Sequence, residues 1–232
     1  ILKNIVKHHN VLNVQTWHLK HVEVKGSINL QYSTPTNLLI HHKPFLHCTH
    51  AEAITSNSCL QLHKYLMQNI EWDVDSDSDD DKNNFVYFPV DGVQEHIKRL
   101  FAKYTNTKWL QHLGDMLQCD IPLSTHNLYI LSIRKSGAYT PMHTDANHYN
   151  KFSNKLGVPV KHSIAQHIYI APSNNISEFG MILHDIDGKP CKQIPCTLGS
   201  YVAYQNTDIS LHSVPVQNHN DDRILLTIRT FY

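Results

Sequence analysis

No apolar stretch of this chain approaches the roughly 20 residues that a membrane-spanning helix needs, so no membrane function is expected. Glycine-rich phosphate loops, dinucleotide fingerprints and G-x-S-x-G elbows are missing as well. Nucleotide-driven chemistry and serine hydrolysis therefore lose their usual signatures. Charge of one sign is not in excess: 20 Lys+Arg stand against 20 Asp+Glu. A polyanionic partner is neither demanded nor excluded by that balance. A disulfide framework is lacking too. The five cysteines (Cys48, Cys59, Cys119, Cys191, Cys196) are odd in number and irregularly spaced. They point to a reducing, intracellular compartment, cytoplasmic or nuclear.

What is there is histidine, 19 of them, and a β-rich second half. Residues 1–48 alternate short β-branched stretches with polar ones and read as two or three strands. From Thr49 to Ile70 the spacing turns helical, with Leu60, His63, Leu66, Met67 and Ile70 as the expected core stripe. The run "DVDSDSDDDK" from Asp73 to Lys82 then breaks all periodicity. It fails as a calcium loop, because Ser78 stands where glycine is required and Asn84 where glutamate is. A solvated, mobile acidic loop over about 73–84 is expected. "DGVQEHIKRLFAKYTNTKWLQHLGDML" reads as one or two helices. From Asn127 onward come "NLYILSI", "VKHSIAQHIYIA", "FGMILHDI", "SYVAYQN" and "ILLTIRTFY", separated by turn residues. Such a series suggests a sandwich or barrel.

The chemistry centres on "MHTDANH". If it lies on a strand, His143 and Asp145 point the same way. A neutral imidazole beside a carboxylate is two-thirds of a 2-His-1-carboxylate triad, which binds Fe(II) on one face and leaves other positions open. His212 in "SLHSVPV", just before the last expected strand, is the candidate third ligand. Arg223 opens that last strand. Its planar fork suits a terminal carboxylate such as the far end of 2-oxoglutarate. In a chain with 19 histidines an H-x-D can also arise by chance. It is the order H-x-D, then H, then R that gives the pair weight.

That order, on a late β-rich segment, resembles the Fe(II)/2-oxoglutarate-dependent oxygenase superfamily. The resemblance covers about residues 127–232. It implies an α+β, mainly β fold: a double-stranded β-helix (jelly-roll, cupin-like) barrel over 127–232. Residues 1–126 would supply supporting strands and helices within one structural unit. It implies His143, Asp145 and His212 as metal ligands and catalytic centre, Fe(II) as metal, 2-oxoglutarate and O₂ as cosubstrates, and Arg223 as the 2-oxoglutarate anchor. The implied activity is hydroxylation of a C–H bond in a protein side chain or small molecule, with release of succinate and CO₂. An aspartate at position 145 argues against halogenation, which uses a small residue there.

A finer resemblance is to the AlkB-like branch, which demethylates alkylated nucleic acid oxidatively. "RILLTIR" carries Arg223 and Arg229 six apart, on one face of a strand, and "LHKYLMQNIEW" resembles an early AlkB-type helix. The chain departs from that branch where "SIR" (Ser132 to Arg134) replaces its Asn-x-Tyr. Ser132, Arg134, Tyr139 and Gln166 are read as possible wall residues, Ser132 and Tyr139 being candidate cosubstrate contacts. His148 and His162 are not taken as ligands. Cys191 and Cys196, spaced C-x₄-C, make a poor zinc site, and "HDIDGKPCKQIPC" reads as a hairpin. The alternatives from other classes are a non-catalytic metal-binding β-barrel and a zinc hydrolase using the same three ligands.

Overall fold

The computed structural model describes residues 37–69, 73–74, 84–87, 102–146, 149, 153, 157, 159–170, 180–216 and 222–232. The strands expected before residue 37, and the acidic stretch from 75 to 83, lie outside the described residues, as does His148. Twelve strands are described: β1 (Leu39–His41), β2 (His47–His50), β3 (Asp73–Val74), β4 (Asn84–Tyr87), β5 (His126–Arg134), β6 (Thr140–His143), β7 (Ser163–Ile170), β8 (Ile182–His184), β9 (Pro190–Gln193), β10 (Tyr201–Asn206), β11 (His212–Val214) and β12 (Arg223–Phe231). Helices among the described residues include α1 (Ser56–Asn69) and α2 (Thr107–Leu117).

The strands form two antiparallel sheets. The larger runs β1-β2-β10-β7-β12-β5-β4-β3 and the smaller β6-β11-β8-β9. From β5 onward the chain winds between them: β5, β7, β10 and β12 join the large sheet, and β6, β8, β9 and β11 the small one. This is a mainly β, jelly-roll-like arrangement. Each strand expected from Asn127 onward is found. The D-G hairpin is β8–β9, its turn closed by Asp185, whose Oδ1 accepts from the amides of Asp187 (3.1 Å) and Lys189 (2.8 Å).

Strand alternation divides the residues of the large sheet between two faces. On one, Ile224, Leu226 and Ile228 of β12 stand in register with Ile133 and Leu131 of β5 and with Ile170, Ile168 and Gln166 of β7. This face meets the helices, α1 packing on β7 and α2 on β2. Each buried aliphatic side chain there contributes about 1.5–3 kcal/mol. The helix stripe is rotated from the expected one. Cys59, Leu62, Tyr65 and Leu66 are buried, whereas Leu60 and Met67 are exposed. Cys59 outcompetes them by facing β7, where its thiol donates to Tyr169 O, and Tyr65 joins the buried core.

Gln166 also departs from expectation. It does not line the site but sits on the helix face. Trp109 Nε1 donates to its Oε1 (2.8 Å), Tyr201 OH donates to the same oxygen (3.0 Å), and its Nε2 donates to Tyr104 O (3.0 Å). A buried amide must satisfy its donors and acceptor, and this one does so by tying helix to sheet. Asn106 caps α2, its side chain accepting from Trp109 N at 2.9 Å. Gly199 precedes β10 with φ +70°, and a Cβ there would stand 2.0 Å from Ile54 O. Only glycine allows that approach.

Candidate metal centre

The small sheet brings the two histidines together. β6 ends at His143, β11 begins at His212, and the antiparallel register sets one opposite the other, ring centroids 4.3 Å apart. Asp145 is not on the strand, as simple alternation would have it. It follows β6, in a bend two residues past His143. The bend carries its carboxylate under both rings. Oδ1 lies 3.8 Å from His143 Nε2, and Oδ2 lies 3.8 Å from His212 Nε2. The three ligand atoms all lie within 4.8 Å of one another. Among the described residues this is the one such His/Cys/Asp/Glu group.

The backbone fixes which nitrogen faces inward. His143 Nδ1 is bonded to Pro141 O at 2.8 Å, and His212 Nδ1 to Ser210 O at 2.9 Å. A carbonyl only accepts, so Nδ1 carries the proton and Nε2 presents its lone pair to the centre. Burial lowers the His212 pKa to about 4, so the ring is neutral at pH 7. For Asp145, burial works against ionisation. Arg229, followed by His212 and His143, overcomes it and lowers the pKa to about 2. Arg229 donates to Asp145 Oδ1 at 2.7 Å. The other oxygen, Oδ2, is buried with no hydrogen-bond partner among the described residues. Two imidazole lone pairs and one orphaned carboxylate oxygen make the donor set of a divalent transition metal.

Arg223 and Arg229 share the inner face of β12 but serve different places. Arg229 bonds the triad carboxylate. Arg223, 1% exposed, has its guanidinium carbon 5.6 Å from the centre of the Tyr169 ring. Arg134 stands opposite it on β5. Between the two ends runs a polar wall that single-strand reading missed. Tyr204 OH is 3.3 Å from His212 Nε2 and 3.1 Å from His167 Nε2, and His167 Nδ1 is 3.0 Å from Thr227 Oγ1. Beside Tyr204 in the register of β10 and β2 is His47, whose Nδ1 is bonded to Phe45 O and whose buried Nε2 has no hydrogen-bond partner among the described residues.

Of the other candidates, Ser132 is buried on the same inner face, opposite Leu225. Tyr139 is half-buried in the turn before β6, and no described contact joins it to the triad. His162 is exposed. Cys191 is exposed on β9 while Cys196 is buried, and no metal group includes them.

No family model and no curated protein matches the chain. Solved structures do. A prolyl-4-hydroxylase from Pseudomonas putida superposes with a TM-score of 0.60 at 11% identity, covering 80% of this chain and 92% of that one. The fold is that of the Fe(II)/2-oxoglutarate-dependent oxygenases. A Trichoplax adhaerens prolyl hydroxylase, solved with a hypoxia-inducible-factor peptide, gives 0.59 at 12% identity, covering 80% of this chain and 83% of that one. HygX from Streptomyces hygroscopicus, solved with nickel and 2-oxoglutarate, gives 0.56 at 7% identity and covers 80% and 82%. On this oxygenase fold the two histidines come from paired strands of the small sheet and the two arginines from the central strand of the large one.

Proposed function

We propose that the protein is an Fe(II)- and 2-oxoglutarate-dependent dioxygenase with a double-stranded β-helix core, hydroxylating a C–H bond of a protein side chain or small molecule. The carrying observation is the His143–Asp145–His212 group, its Nε2 atoms set inward and its carboxylate held ionised, on the oxygenase fold. Fe(II) held there would supply the O₂ activation that couples decarboxylation of 2-oxoglutarate, giving succinate and CO₂, to hydroxylation of the substrate. The chain's own residues do the rest. His143 and His212 bind through Nε2, and His212, kept neutral by burial, has no proton to lose first. Arg229 occupies Asp145 Oδ1 and so turns Oδ2 to the centre. Arg223 binds the distal carboxylate of the cosubstrate, its fork steadied against Tyr169. Burial of Asp145, His212 and Tyr204 keeps water from the inner side of the centre. The reducing, intracellular compartment suggested by the cysteines suits a metal that must stay ferrous.

The test is a succinate-release screen with Fe(II), 2-oxoglutarate and O₂ against amino acids, peptides and methylated oligonucleotides. Succinate formed only when all three are present supports the reading. Tightly held zinc after anaerobic purification, with no response to 2-oxoglutarate, would replace it with the hydrolase.

One contact favours a second reading. In AlkB-like demethylases the second arginine of the paired-arginine strand is expected against the carboxylate ligand, and Arg229 lies there. Turnover of a methylated oligonucleotide, crippled equally by Arg223→Ala and Arg229→Ala, would make this the function. Turnover of a peptide or amino acid with the oligonucleotide inert excludes it.

A further inference from the structure

Two rows of side chains run from the metal centre to the edges of the sheets. In the small sheet, His143, His212, Leu183 and Lys192 are successive partners across β6, β11, β8 and β9. In the large one, Tyr204, His47 and His41 are successive partners across β10, β2 and β1. Paired residues share a face, and the rows meet at their start, Tyr204 OH lying 3.3 Å from His212 Nε2. Both rows therefore face the space between the sheets. Each ends on a terminal strand, at Lys192 on β9 and His41 on β1. The His41 and His47 rings stack, their centroids 4.8 Å apart. His47 has no exposure, and its Nε2 has no hydrogen-bond partner among the described residues. Burial lowers the pKa of His47, His41 and Lys192, Lys192 lowers both histidines further, and no carboxylate is among the groups acting on the three. Withdrawing an ammonium from water without a counter-charge is costly. An anion brought from outside would complete the group.

We propose that Lys192, His47 and His41 form a subsite for a carboxylate of the substrate, so that the protein selects substrates bearing an anion. This rests on the oxygenase reading. Lys192 stands two strands from His212, roughly 10 Å at about 4.8 Å per strand. The anion therefore belongs several bonds from the C–H bond that is attacked. The subsite is separate from the cosubstrate anchor, because Arg223 lies six residues along β12 from Arg229, the β12 member of the Tyr204 row. Lys192 donates to the carboxylate from the rim. His47 Nδ1 is bonded to Phe45 O, which leaves Nε2 as the contact atom. The groups facing His47 are Lys192 from β9, His41 from β1 and Tyr204 from β10. Of these only Lys192 is charged at pH 7, since the His41 pKa is lowered and that of Tyr204 is raised by burial. The proton that burial and Lys192 push off Nε2 returns when a negative charge sits against it, and the ring then donates to the carboxylate. These residues determine specificity and touch no reacting atom.

The test starts from binding. Butyrate and its neutral isostere butyramide are titrated into the full chain, loaded with Zn(II) as a diamagnetic stand-in for iron and saturated with 2-oxoglutarate. The imidazole signals of His41 and His47 are followed by NMR. Butyrate should move both, His47 toward the imidazolium, and butyramide should move neither. Lys192→Met should weaken butyrate by about tenfold, the effect of one lost charge-assisted contact. Lys192→Arg, which keeps the charge, should restore it. In the succinate screen, end-blocked peptides carrying glutamate should outpace the same peptides carrying glutamine, and Lys192→Met should erase that preference. Unmoved signals, or a shift that is the same in Lys192→Met, overturn the subsite and leave the oxygenase intact. Glutamine peptides turned over as fast as glutamate peptides overturn it too. Butyrate-induced shifts with no succinate from any substrate overturn the oxygenase reading, and the substrate role of the subsite with it.

Discussion

The two faces of β12 are one sequence sorted by parity. Ile224, Leu226 and Ile228 face the helices, while Arg223, Thr227 and Arg229 face the small sheet. The first set meets other apolar side chains and stabilises without chemistry. The second meets Asp145, His167 and Tyr169, and each contact there is polar or charged. Both sets are largely buried, so burial does not distinguish them. What differs is what each face is buried against, and the difference separates apolar packing from polar contact along a single strand.

Breaking the functional side should give the largest effect. His212→Ala is expected to reduce succinate release by roughly 10³-fold or more and to empty the site of iron, while the melting temperature moves little. Metal analysis and calorimetric melting on one preparation check this, and a variant that keeps both iron and activity would dissolve the comparison.

Breaking the other side should do the opposite. Leu226→Ala, at a position with no exposure, should cost about 2–5 kcal/mol by the cavity it leaves. Iron bound per folded molecule should stay the same. Denaturant unfolding monitored beside metal content is the measurement.

The smallest effect sharpens the contrast through pH. Burial lowers the pKa of His167 to about 3 and of His47 to about 4, against an ordinary 6.5. The unfolded chain therefore binds these protons first as pH falls. Their stabilising contribution is complete above about pH 6.5 and is lost below it, down to the folded values. Each group steepens the loss by up to about 1.4 kcal/mol per pH unit. Unfolding with a chelator present at pH 7, 6 and 5 should show the decline, and His167→Gln should flatten it. A helix-face variant such as Leu226→Ala should shift the whole curve without changing its slope.

Much of this could be read from the chain, and the reasons for the rest are specific. Alternation announced β5, β7, β8, β10 and β12, and the even spacing of Arg223 and Arg229 put them on one face. The H-x-D order and His212 were visible because ligand chemistry restricts residue type. Tyr204, His167 and His47 were not. Each looks like an ordinary strand residue until the ladder sets β2, β10, β7 and β12 side by side, and register between distant strands leaves no mark on any one of them. Gln166 was misplaced for the same reason: its strand was recognised, but which face meets the helices depends on the partner layer. The α1 stripe slipped because apolar Leu60 and Met67 compete with Tyr65 and Cys59, and only the surface of β7 decides between them.

The pairing of β6 with β11 has one more consequence. β11 has three residues, and its register with β6 shifts between His212 and Val214. So short and irregular a ladder holds few hydrogen bonds of its own. A metal gripped by His143 and His212 would tie the two strands together at their junction, like a rivet through overlapping plates. Binding energy spent there is folding energy for the small sheet. Loading the site would then slow amide exchange in β6 and β11 far more than in β7 or β12, which the apolar face already protects. The small sheet would close around its metal, while the large sheet stands without it.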